Sequence, residues 1–199
     1  MSSQFLFLAS ALPEVSEAAC KAETLALSDP RAACFYARRA LELAITWVYE
    51  NDGSLTLPYR EDLSALIHEP SFITTAGQTI FQKCRVIKDL GNQAVHSSRP
   101  ISQAHAVDAV RELFHFCYWL ARTYAKGEKP SPDLAFDPKL LPVTTTVTKQ
   151  TVQHFKALSD QLASEREKLF ALLSEKDALD AELQKARAEV AAIKQANAA

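Results

Sequence analysis

Apolar residues recur from residue 12 to residue 124 at three- and four-residue intervals, the signature of helices that each bury one face. Val15, Ala19, Ala22 and Ala26 form the first such row, and Pro13 suits a first helical position, so a helix is expected from about Leu12 to Leu27. Phe5, Leu6 and Phe7 precede it as a plug for the core. The Asp29 carboxylate can accept from free amides of the next turn and Pro30 has no amide to leave unpaired, which starts a second helix running to about Glu50. Its inward row is Cys34, Ala37, Leu41, Ala44, Ile45 and Val48, and Asn51-Asp52-Gly53 stops it. A short helix over Arg60 to His68 points Leu63, Leu66 and Ile67 inward and cannot run regularly through Pro70. A further helix spans roughly Ala76 to Leu90, with Ile80, Cys84 and Ile87 inward and Gly91 at or near its end. After a break at Ser98 to Pro100, Ser102 caps a long helix to about Tyr124. Two adjacent stripes on it, Val107, Val110, Phe114, Cys117, Ala121, Tyr124 and Ala106, Leu113, Leu120, mark it as central, and its aromatic end, Phe114 to Trp119, has almost no polar face.

These rows define an all-α fold with a helical bundle over residues 1–126. Pro130, Pro132, Pro138 and Pro142, followed by Thr144-Thr145-Thr146, make 127–148 a stiff extended linker rather than a packed element. From Lys149 the pattern changes. Leu158, Leu162, Leu169, Leu172, Leu179, Leu183, Ala186, Val190 and Ile193 follow a four-three heptad over 149–199, with Glu165 and Lys176 at two seam positions. A coiled-coil-like helix leading to absent downstream domains is expected there. Parallel pairing would set Glu175 against Asp180 but Glu182 with Arg187 and Glu189 with Lys194, so dimerisation and packing on another domain both stay open.

Composition narrows the function classes. Among 199 residues only four are glycine, which disfavours a fold of many short strands and turns. The net charge is −2 with no basic run, so these residues have no electrostatic footprint for nucleic acid, and any DNA would be met through a larger parent. Cys20, Cys34, Cys84 and Cys117 are far apart among apolar neighbours and read as reduced core thiols of a cytoplasmic protein. Phe5 to Leu12 is too short and lacks the basic residues of a signal peptide, and no stretch suits a membrane.

One stretch concentrates candidate chemistry. In Ile87 to His96, Gly91 permits close approach by another backbone, and Asn92 and His96, four apart, share a helix face. One reading is a ribonuclease or nucleotidyl-transfer site, with His96 as general acid or base and an arginine on the phosphate. In the other, Asn92 satisfies helix-end groups and His96 donates to a buried carbonyl. Arg38, Arg39 and Glu42 lie within one turn, and Arg38 and Glu42 can pair. His68, His105, His115 and His154 share no ligand spacing, so no metal is expected. No phosphate loop seats ATP, and no Gly-x-Ser-x-Gly elbow is present.

Taken in order, Asp29-Pro30, Phe35 to Glu42, Asp62 to Ile67, Gly91-Asn92 with His96, Arg111 to Phe116 and Trp119 to Arg122 resemble a known module. The chain, over about residues 1–142, resembles the helical N-terminal domain of the R subunit of type I restriction-modification enzymes. The resemblance implies a non-catalytic docking or scaffold module followed by a nuclease domain and an ATP-driven DNA translocase. ATP and Mg2+ would belong to that parent and none to this segment. Partners would be the downstream nuclease and motor domains and the methyltransferase and specificity subunits. The same module is similar, more distantly, to the HEPN helical bundles, some of which cut RNA with an arginine followed a few residues later by histidine. Here Asn92 stands four before His96 and the nearest preceding arginine is Arg85, so no catalytic residue carries over. A HEPN-type RNase dimer using His96 and a coiled-coil dimerisation module are the alternatives.

Overall fold

The structure, a computed structural model, describes residues 3–127 and 129–143 together with the isolated positions 161 and 164. The chain divides into two compact units, Met1–Thr148 and Lys149–Ala199. The expected heptad helix and the end of the expected linker lie outside the described residues.

The first unit is all-helical among its described residues. A 3-10 turn at Leu6–Leu8 leads into α1 (Pro13–Leu25), α2 (Pro30–Asn51), α3 (Leu63–His68), α4 (Pro70–His96) and α5 (Gln103–Tyr124). Local chemistry sets most starts. Proline occupies the first turn of α1, α2 and α4, where its missing amide costs no hydrogen bond. Asp29, Asp62 and Ser102 each accept from a backbone amide of the turn they cap, at 3.0, 3.0 and 3.2 Å. The core is continuous, and the α2 row expected to be inward is wholly buried. Phe5 is buried and sets its ring edge against Phe114 at 5.7 Å, while its neighbour Leu6 faces outward. None of the described helices is long and apolar enough to cross a membrane.

Three features depart from the periodicity. Helix α4 begins at Pro70 and bends at Gly77, whose φ of 79° and ψ of 157° lie outside the helical region. It then runs through Gly91 to His96, so Gly91 is a buried interior position and not a helix end. The proline-rich segment from residue 130 to 141, expected to be an unpacked extended linker, forms a 3-10 turn at Pro138–Leu140 and packs on the bundle. Phe136 lies 5.8 Å from Phe114, Leu141 is buried, and Arg122 and Tyr118 donate to the Pro130 and Ser131 carbonyls. Gln4 grips the same segment through both ends of its amide, donating to Asp137 O at 3.1 Å and accepting from Asp137 N at 2.8 Å. Beneath it, the buried Glu23 carboxylate accepts from Gln4 N and the Ser3 hydroxyl.

Candidate functional site

The stretch around Gly91 lies where α4 crosses α2. Cys84, Ile87, Gly91 and Ala94 form the buried row of α4, and at Gly91 the row meets the stem of Arg38. A Cβ added at Gly91 would lie 2.3 Å from Arg38 Cβ and 2.7 Å from its Cδ, so only glycine lets the two helices approach this closely. Arg38 Nε is buried and has no hydrogen-bond partner among the described residues. The expected Arg38–Glu42 pair does not form. Consecutive helical residues point about 100° apart, so Arg38 turns to α4 while Arg39 turns away from it and meets Glu42 at 4.0 Å.

Asn92 and His96 do not hold this junction, contrary to the second sequence reading. Asn92 is half-buried, His96 is exposed, and neither side chain hydrogen-bonds to another described residue. Arg31 does that work. One of its terminal nitrogens donates to the Ala94 and Ser97 carbonyls at 2.6 Å each, and the other donates to Arg99 O at 2.6 Å. A guanidinium thus closes the carbonyl-rich end of α4, where a positive charge is favoured. The sequence held a signal for this: a lone arginine in the first turn of α2 opposes its own helix dipole and has to find carbonyls elsewhere.

The remaining polar groups are mostly committed to structure. Between α4 and α5, Lys83 donates to Glu112 at 2.6 Å and lies 3.2 Å from His115 Nδ1. Burial acts to raise the Glu112 carboxyl, but the hydrogen bond and charge of Lys83, with His115, outweigh it and hold the group below its ordinary value. Burial pushes the Cys34 thiol up to about 12 and raises Cys84 and Cys117 as well. All four cysteines are free, and the three buried ones are protonated core residues, as their neighbours suggested. His68 is held 2.7 Å from Ser64 O and edge-on to Phe81. Among the described residues, no three His, Cys, Asp or Glu side chains gather as a metal site.

Among the described residues the unit is all-helical, and Arg31, Asp29, Asp62 and Ser102 close helix ends. Residues 21–186 match the family described as Domain of unknown function (DUF4145), and the chain belongs to it. No curated protein and no solved structure matches the chain.

Proposed function

We propose that this chain is a docking or scaffold module of a type I restriction R subunit, which holds nuclease and motor domains in register with the methyltransferase and specificity subunits. The observation that carries this reading is the α2–α4 junction. There, two arginines of α2 hold the motif-bearing helix: Arg38 seats on Gly91 and Arg31 closes the end of α4. The inert thiols support the same reading, since none of the three buried ones is activated for covalent chemistry. Substrate DNA, ATP and Mg2+ belong, in this reading, to the parent. The test is assembly: the chain, mixed with a purified methyltransferase–specificity complex of a type I system, co-elutes on gel filtration. Independent elution at micromolar concentrations of both sinks the reading.

One observation favours the RNase alternative. An arginine does reach α4 from another helix, because Arg38 meets it at Gly91, five residues and about 140° of helical turn from His96. Its buried Nε is unpartnered, and Asn92 and His96 are likewise uncommitted. In this reading His96 moves the proton and Arg38 steadies the phosphate. Turnover of a single-stranded RNA, lost in both His96→Ala and Arg38→Lys, would replace docking alone with catalysis. No turnover by wild type removes the alternative.

A further inference from the structure

A trough runs between the start of α1 and the outer face of α2, with a volume of about 550 Å³. We propose that it is the seat of a lysine- or arginine-bearing amphipathic helix from a partner protein. The proposal rests on the docking reading and names the surface that does the docking.

Shape is the first argument. On α2 the trough is lined by two parallel rows of four-residue spacing, Arg39-Leu43-Trp47 and Glu42-Thr46-Glu50. The eleven steps from Arg39 to Glu50 rise roughly 16 Å, so the depression follows α2 for about three turns. A helix laid along it meets side chains at its own three- and four-residue spacing. The floor is apolar. Leu12 and Val15 are buried at one edge, Leu43 and Trp47 are half-buried at the other, and Trp47 is fixed by an edge-on contact with Tyr124 at 6.0 Å.

Charge identifies the occupant. The rim carries the carboxylates Glu14, Glu42 and Glu50 against the single guanidinium of Arg39, which already faces Glu42. Glu14 and Glu50 are exposed and make no ion pair with any described residue. A net-negative rim over an apolar floor repels nucleic acid and acidic segments and attracts a helix with basic flanks.

The test uses calorimetric titration of the full chain with an amphipathic leucine/lysine peptide of about 18 residues and with its leucine/glutamate counterpart. The basic peptide binds saturably and the acidic one does not. The triple variant Glu14→Gln, Glu42→Gln, Glu50→Gln weakens binding at least about tenfold. A remote triple, Glu61→Gln, Asp89→Asn, Asp133→Asn, removes the same charge and leaves binding within about twofold. Equal binding of both peptides, equal loss in both triples, or no binding by wild type overturns the assignment. If wild type still assembles with the methyltransferase–specificity complex after such a failure, the trough is wrong and docking stands. Peptide binding without assembly removes the restriction-enzyme reading and leaves the trough.

Discussion

Replacing Gly91 with alanine sets two known effects against each other. In an exposed helix interior the change stabilises by about 0.8–1 kcal/mol, because alanine loses less backbone freedom than glycine. At Gly91 the new methyl would sit 2.3 Å from Arg38 Cβ, an atom fixed to the α2 backbone. Ordinary carbon–carbon contact needs the two atoms to part by about 1.2–1.7 Å, which loosens Ile87 and Ala94 against α2. Overpacking of this kind costs about 1–3 kcal/mol. The sum is a net loss of up to about 2 kcal/mol, or a fall in Tm of up to roughly 8 °C for a unit of this size. The assay is thermal and urea unfolding followed by helical circular dichroism. A double-mutant cycle locates the strain. Arg38→Ala keeps the clashing Cβ and restores little, whereas Arg38→Gly removes it and gives a coupling of about 1–2 kcal/mol with Gly91→Ala, despite its own helix penalty. A Gly91→Ala protein that melts at or above wild type refutes the close approach, and rescue by Arg38→Ala as complete as by Arg38→Gly puts the strain in the flexible stem instead.

Gly77 makes the opposite case: its methyl would meet open space, but φ of 79° is unfavourable for any side chain, so Gly77→Ala lowers stability by about 1–3 kcal/mol in urea unfolding. An unchanged midpoint would mean that the bend does not need that conformation. Because the Glu112 carboxyl is depressed in the folded state, its contribution is present above the ordinary glutamate value and is lost as pH falls through the folded one. Lys83→Met removes the largest cause that lowers the carboxyl and leaves His115 and Arg111 against burial, so the carboxyl rises and acid unfolding begins at higher pH than in wild type; coincident acid transitions would count against the pair. A thiol-exchange reagent titrates only Cys20 in the native protein and all four cysteines in denaturant. Rapid native reaction at Cys84 or Cys117 would contradict their burial.

Local signals placed three helix starts, since Pro13, Asp29-Pro30 and Ser102 act on the turn that follows them, whereas α3 starts behind Asp62 rather than at Arg60 and α4 starts at Pro70 rather than near Ala76. Buried rows were equally legible, because a helix repeats its inward face whatever it packs against. What was hidden depends on partners distant in sequence. Glycine is a reasonable stop signal on propensity, yet Gly91 is interior because Arg38, more than fifty residues earlier, needs the space. The prolines pointed to an extended linker but could not reveal the 3-10 turn at Pro138–Leu140 or that Phe136 and Leu141 find apolar surface on the bundle. Of the motif residues, Arg38 and Gly91 meet, Arg39 and Glu42 pair on another face, and Asn92 and His96 make no bond among the described residues. Arg31, unmarked by any motif, closes the helix that carries them.

The paired hydrogen bonds between Gln4 and Asp137 give the bundle an order of assembly. A polypeptide leaves the ribosome from its amino end, so Phe5 and Phe7 are made early, whereas Phe114, Phe136 and the Asp137 backbone that cover and clasp them are made late. A nascent chain halted after Tyr124 holds Phe5, Phe7 and Phe114 but lacks Phe136 and the Asp137 clasp that complete the cluster. Closure is therefore a late event of synthesis, set by the last stretch of the unit rather than by its first helix.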